Sequence, residues 1–269
     1  MASYDHDSRD LAKIYDRISE WQFEGGKRLV EKLDIQPGDR VLDLGCGTGR
    51  LTGWIADRVG PKGAVTGVDP LPERVAMARN NNGGVCFEVG SAESLDGFAD
   101  KSFDAVCLNE VFHWISDKPR ALEEIYRVLR PGGRVGLTST PKELHWTATV
   151  PHICVTVLSN SPYMESLDYK SMTAMTGHLT TTEVVTLLTG RRFSMVDVGV
   201  ARRDHCLPDG RAVFDFAESS SFGNLLGLVP EHLRDSLRAD LVAAFEKKKQ
   251  DGTIPLRQFS AVFVAERSN

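Results

Sequence analysis

The sequence has no apolar run approaching the roughly 20 residues that a bilayer span requires, so no membrane-spanning helix is expected. Its first thirty residues hold Asp5, Asp7, Arg9, Asp10, Lys13 and Asp16 and no apolar core of the leader type, and the expected location is cytoplasmic. Beyond Lys247-Lys248-Lys249, which reads as the solvated end of a helix, there is no Lys/Arg stripe. With a net charge of −5, nucleic acid is not an expected partner. The five cysteines, Cys46, Cys86, Cys107, Cys154 and Cys206, are odd in number, scattered and free of any C-x-x-C pair, so neither a disulfide framework nor a structural metal is expected. Internal repeats and low-complexity tracts are also lacking. What is present is an ordinary globular balance, 41% hydrophobic and 26% charged over 269 residues, enough for one enlarged α/β domain.

Short runs rich in β-formers stand at Arg40–Leu44, Ala64–Asp69, Val85–Val89, Phe103–Leu108 and Arg134–Thr138, each the length of a buried parallel strand. Helical stretches follow several of them: Leu51–Val59, Pro72–Asn80 with proline in its first turn, and Pro119–Leu129 with Leu122, Ile125, Tyr126 and Leu129 at helical spacing. Alternating strands and helices predict an α/β fold with a doubly wound, mostly parallel sheet and right-handed crossovers. Residues 141–180 change character, with Ser, Thr, His and Met and no clear strand, and predict irregular helices. Thr182–Leu188, Arg211–Ser219 and Glu231–Lys249 read as helices, and Phe193–Val200 and Leu256–Ala265 as strands.

Directly after the first strand comes Gly45-Cys46-Gly47-Thr48-Gly49, a turn that can bring backbone N–H groups against a ligand. Asp43 stands two residues before it. Asp69 ends the next strand, 20 residues beyond Gly49, where a carboxylate can accept from ribose hydroxyls. The sixth position is Arg50 rather than the third glycine of a dinucleotide fingerprint, and Asp43 would repel a pyrophosphate. A cationic nucleoside suits the loop better than a diphosphate.

The run Val41-Leu42-Asp43-Leu44-Gly45-Cys46-Gly47-Thr48-Gly49 resembles the first motif of the class I S-adenosylmethionine-dependent methyltransferase superfamily. Gly67-Val68-Asp69-Pro70, Gly90-Ser91-Ala92-Glu93-Ser94-Leu95, Phe103-Asp104-Ala105-Val106 and Arg127-Val128-Leu129-Arg130-Pro131-Gly132-Gly133 are similar to further segments of its ubiquinone/menaquinone-biosynthesis-like (type 11) branch. The likeness covers residues 36–138. It implies a seven-stranded sheet with helical insertions over the acceptor site, near residues 141–180 and 207–250. On the same basis, residues 1–269 form a single domain: an N-terminal helical lid (1–35), a cofactor half (36–140) and an acceptor-side half (141–269). The implied cofactor is S-adenosyl-L-methionine, with S-adenosyl-L-homocysteine as product. The resemblance assigns Asp43 to the cofactor's ammonium, Gly45 and Gly47 to its methionine part and Asp69, with Pro70 beside it, to the ribose. Ala92 and Glu93 are assigned to the adenine edge, Asn109 to the methionyl chain, and Tyr15, in the lid-like Tyr15-Asp16-Arg17-Ile18-Ser19, to the sulfonium.

Methyl transfer from a sulfonium needs alignment, exclusion of water and, for some acceptors, a base. His113, in Asn109-Glu110-Val111-Phe112-His113-Trp114 at the carboxyl end of a strand, is the leading base candidate, with pocket wall as its other reading. Tyr15 is a second catalytic candidate, as an aromatic or hydroxyl wall over the sulfonium, with a plain amphipathic-helix residue as its other reading. His145, Trp146, His152, His178 and His205 fall in acceptor-side segments. Met164, Met172 and Met175 with Phe214, Phe216 and Phe222 either form an adaptable apolar acceptor site or fill the core. The expected partner is a small molecule methylated at oxygen, nitrogen or carbon. Three alternatives stay open: a noncatalytic nucleoside-binding protein on the same fold, an NAD-dependent oxidoreductase, disfavoured by Arg50 and Asp43, and methylation of a soft acceptor (thiol or arsenite) through Cys154 and Cys206.

Overall fold

A computed structural model of the chain describes residues 4, 6–167 and 177–268. In chain order its elements are α1 (Arg9–Ile18), α2 (Glu20–Leu33), β1 (Arg40–Leu44), α3 (Arg50–Val59), β2 (Ala64–Asp69), α4 (Pro72–Asn81), β3 (Cys86–Val89), β4 (Phe103–Asn109), α5 (Lys118–Val128) and β5 (Leu129–Ser139). Then follow α6 (Lys142–His145), α7 (Thr149–Leu158), α8 (Tyr163–Ser166), α9 (Thr181–Thr189), β6 (Phe193–Leu207), α10 (Gly210–Ser220), α11 (Asn224–Gly227), α12 (Glu231–Glu246) and β7 (Ile254–Arg267). Several helices begin where a short polar side chain accepts a backbone N–H: Asp117 from Arg120 at 3.0 Å, and Asp209 from Ala212 at 2.8 Å. Thr180 and Glu183 form a reciprocal capping box on α9.

Residues divide into two compact units. The sheet unit comprises Glu20–Ser139, His178–Val200 and Ala261–Asn269, and the helical unit Met1–Ser19, Thr140–Gly177 and Ala201–Ser260. The segment expected as a lid, residues 1–35, is shared between them. Its second half, α2, has Leu29 and Leu33 to bury and does so in the core of the sheet unit.

Seven strands form one sheet in the order β3-β2-β1-β4-β5-β7-β6. The pairs β3–β2, β2–β1, β1–β4 and β4–β5 are parallel, and β5–β7 is antiparallel. This is the doubly wound, mostly parallel seven-stranded sheet that the alternation of strands and helices predicts. The period of two along each strand separates the faces. Leu42, Val106, Leu108 and Phe263 pack with Leu122 and Ile125 of α5 and Leu188 of α9, while Val41, Ala105, Cys107 and Val264 pack with Leu29 and Leu33 of α2 and Ile55 of α3. Strand order reverses at β1, between β2 and β4, and such a switch point opens a crevice at the carboxyl ends of the strands.

The helical unit has its own core, with Ile153, Val157, Phe214, Leu237, Leu241 and Phe245 among its buried side chains. Here α1 packs on α10, and α12 on both α10 and α7. Strand β6 runs to Leu207, seven residues past the predicted end. Arg202-Arg203-Asp204-His205 is polar enough to read as a loop, yet the alternation of exposed and half-buried residues continues without a break from Ser194. Met172 and Met175 lie outside the described residues. Met164 is exposed, while Phe214 and Phe216 are buried. All five cysteines are free. Among the described residues no helix is long and apolar enough to cross a membrane.

Candidate active site

Between β1 and α3 the chain turns through Gly45, Gly47 and Gly49, with φ of 74°, 54° and 80°. The Gly45 and Cys46 N–H groups donate to the Val68 carbonyl at 2.7 and 3.1 Å, which ties the loop to the end of β2. Glycine is demanded at position 45 twice over. Its φ lies in the left-handed region, and a Cβ there would stand 2.2 Å from a methyl of Val111.

Two carboxylates flank this turn. Asp43, 2% exposed, accepts the Thr52 hydroxyl from α3 at 2.7 Å. Burial pushes its carboxyl up to about 6; the Thr52 bond opposes that rise and the neighbouring Asp69 charge adds to it. Asp69, also buried, accepts the Gly47 N–H and the Leu71 N–H, each at 2.9 Å. Its hydrogen bonds therefore hold the glycine loop at one oxygen and the start of α4 at the other. Pro70 is half-buried beside it. Arg50 does not compensate these acids. Its guanidinium is drawn to α2, where it pairs with Glu20 and lies 4.4 Å from the centre of the Phe23 ring. Burial, with the Asp69 and Asp43 charges beside it, pushes the Cys46 thiol well above its ordinary range.

Further along the same edge, Ala92 is half-buried against the core, and Glu93 has structural work. One Glu93 oxygen accepts the N–H groups of Ser116 and Asp117 at 3.0 and 2.9 Å, and the other accepts the Ser91 hydroxyl. Its carboxylate thus organises the turn into α5. Asn109, at the end of β4, donates to the Gln22 carbonyl of α2 and accepts the Thr138 hydroxyl of β5, both at 3.0 Å. The amide is a clasp between α2 and the two strands.

His113 lies on a single 3-10 turn, Phe112–Trp114, anchored by the buried Phe112. Its Nδ1 is 3.3 Å from the Ser139 hydroxyl, and its ring stacks on His178 at 4.4 Å with 19° between planes. A sequence reading names His113 and His178 separately, and only the fold brings them together. Thr52 and Ser139 were missed. Thr52 had a signal, since it sits in the first turn of the helix that the glycine loop starts and so points back at Asp43. Tyr15 is half-buried on α1 of the helical unit, as are His145 and His205 on other elements of that unit, while His152 is exposed. Burial lowers the His145 and His205 imidazoles to about 4, which keeps both neutral near pH 7. Cys154 is buried with its thiol pushed up to about 12, whereas Cys206 is exposed.

Residues 42–137 match the family described as Methyltransferase domain. A demethylmenaquinone methyltransferase of Lactobacillus johnsonii is 38% identical over 120 residues, 42% of this chain and 49% of that one. A malonyl-[acyl-carrier protein] O-methyltransferase of Erwinia pyrifoliae is 40% identical over 127 residues, 46% of each chain. This chain spans about half the length of the curated relatives it matches. An S-adenosylmethionine-dependent methyltransferase of Methanosarcina mazei has the same fold at a TM-score of 0.53, with 20% identity over 89% of this chain and 96% of that one. The segment that carries the glycine loop, residues 42–137, thus matches a methyltransferase domain and is similar to curated methyltransferases, and the chain shares its fold with an S-adenosylmethionine-dependent methyltransferase.

Proposed function

We propose that the chain transfers a methyl group from S-adenosylmethionine to a small-molecule acceptor. One observation carries this reading: two buried carboxylates, Asp43 and Asp69, flank a glycine turn into which no side chain fits. A donor set of that charge suits a ligand that is cationic at one end and rich in hydroxyls at the other. When bound, S-adenosylmethionine supplies a methyl group on a sulfonium, which departs as the neutral thioether of S-adenosylhomocysteine.

Asp43 is assigned to the ammonium of the cofactor, whose charge would keep the carboxylate ionised despite its burial. Asp69, whose oxygens hold the Gly47 and Leu71 N–H groups, is assigned to the ribose hydroxyls. The Gly45 and Gly47 backbone lets the methionine part approach closely, with Asn109 and Pro70 at its margins. Ala92 and Glu93 remain assigned to adenine, Glu93 only through the capacity that its capping work leaves over. Tyr15 is retained as a cofactor contact, to be tested by Tyr15→Phe and Tyr15→Ala. His113, whose Nδ1 pairs with the Ser139 hydroxyl, is assigned as the base for an acceptor that must lose a proton. His178, stacked on the ring, restrains its orientation. The named relatives are a demethylmenaquinone methyltransferase and a malonyl-[acyl-carrier protein] O-methyltransferase, so acceptors of those two kinds head the screen.

Calorimetric titration with S-adenosylmethionine, S-adenosylhomocysteine and NAD tests the cofactor. Binding of the two sulfur nucleosides and not NAD is expected; binding of neither sinks the reading. Release of S-adenosylhomocysteine over an acceptor panel then tests turnover. His113→Ala should leave cofactor affinity intact and slow turnover by about 10²–10⁴-fold if the acceptor needs deprotonation. Tight nucleoside binding with no acceptor turned over would instead favour a noncatalytic nucleoside-binding role.

A further inference from the structure

The helical unit contains a cavity of about 520 Å³ that none of the cofactor residues lines. Its wall is assembled from four stretches of chain: the start of α7, the last third of β6, the segment after α12 and the first residues of β7. Part of that wall is apolar, with Ile153 and Leu256 at 5% and 2% exposure. The charged part is lopsided. Arg202, Lys248 and Arg257 face one carboxylate, Asp204, in a chain whose net charge is −5.

Asp204 is already committed. It accepts Arg202 Nε at 2.8 Å, and that bond, with smaller help from Arg257 and His205, holds its carboxyl below the usual range. Its charge is spent on orienting Arg202, and an excess of two positive charges is left at the cavity. The framework carrying them is pinned. The Arg257 N–H donates to the Thr149 hydroxyl at 2.8 Å, which joins β7 to the first turn of α7. Lys249 pairs with Glu246 at 2.9 Å, while Lys248, one residue earlier, lines the cavity instead. The lysine triplet is thus a helix end, as its composition suggests, with one of its members turned to other use.

We propose that this cavity binds an organic anion: an apolar body lying on Ile153 and Leu256, with a carboxylate or phosphate facing Lys248 and Arg257. An apolar wall gains from excluding water, and the exposed cationic rim of Arg202, Lys248 and Arg257 adds an attraction for an anion that salt screens. Neither feature accounts for the other. A purely apolar ligand leaves two cations unanswered, and a bare inorganic anion leaves the apolar wall wet. The inference does not rest on the methyl-transfer reading.

Calorimetry on the full chain with octanoate, octyl phosphate, octanol and inorganic phosphate tests it, with S-adenosylmethionine titrated into the same sample to separate the two readings. Octanoate or octyl phosphate is expected to bind one to one, and octanol and inorganic phosphate about tenfold or more weakly, each lacking half of the recognition. The binding of the amphiphilic anions should weaken with added salt. The Lys248→Ala/Arg257→Ala variant should lose about tenfold for octanoate and keep its affinity for S-adenosylmethionine. Octanol binding as well as octanoate would overturn the anionic part, inorganic phosphate binding as well would overturn the apolar part, and an unaffected double variant would place the ligand elsewhere. Should that variant fail to fold, the salt dependence of wild-type octanoate binding decides alone: affinity indifferent to salt overturns the proposal.

Discussion

Each unit buries one carboxyl that its surroundings push upward, Asp43 in the sheet unit to about 6 and Glu218 in the helical unit to about 7. Burial is the first cause in both, and the resemblance ends there. Asp43 has one hydroxyl donor and a second carboxylate, Asp69, that makes its ionisation harder. Glu218 accepts the Leu226 N–H at 3.1 Å, capping the short helix α11, and the Arg238 and Arg234 charges lower its pKa in turn. Among the described residues no positive charge offsets the burial of the first acid. The other is answered from within its own unit. Burial alone therefore does not make the two acids alike; what distinguishes Asp43 is a second carboxylate in place of arginines, beside the glycine turn.

The largest expected effect tests the turn itself. Gly45→Ala combines a left-handed φ with a 2.2 Å approach to Val111 and should destabilise the protein by roughly 2–4 kcal/mol in chemical denaturation. Adding Val111→Ala should recover the steric part and leave the backbone part. Full rescue would mean that packing alone, and not the φ, demands glycine.

The two acids come next, and their sign is fixed. Each has a folded pKa above its unfolded one, so the folded state holds its proton longer and stability falls as pH rises, from about 4 to 6 for Asp43 and from about 4.5 to 7 for Glu218. Asp43→Asn and Glu218→Gln should each remove their part of that fall, on the order of 3 kcal/mol near pH 8, as read by denaturation across pH. The comparison is sharpened by the cofactor: Asp43→Asn should weaken S-adenosylmethionine about tenfold or more, and Glu218→Gln should leave it unchanged. A Glu218→Gln variant that also loses the cofactor would break the comparison.

Asp69→Ala should weaken S-adenosylmethionine by about 1–3 kcal/mol through lost ribose bonds, and it also frees the Gly47 N–H that Asp69 holds. Unchanged affinity in calorimetry would remove Asp69 from the ribose. The smallest effect belongs to Thr52→Val. It removes one hydrogen bond, worth about 1 kcal/mol, and should raise the Asp43 pKa further, moving the onset of cofactor binding to higher pH.

The sheet unit was legible because its determinants are local. The strand Arg40–Leu44, the glycine turn, Asp43 and Asp69 lie within thirty residues, and a buried parallel strand followed by a left-handed turn leaves few alternatives for residue type. A period of two or 3.6 also reports which face is buried before any partner is known. The sequence by itself thus determined the winding of the sheet and the two acids that frame the candidate cofactor site. Only the tertiary structure decided that Glu93 and Asn109 hold neighbouring elements together, that His113 stacks on His178, and that Lys248 and Arg257 share a cavity with Arg202. These are meetings between residues far apart along the chain. No local pattern encodes them, because a charged or aromatic side chain follows the same local rules wherever the fold carries it, and its partner is set by packing alone.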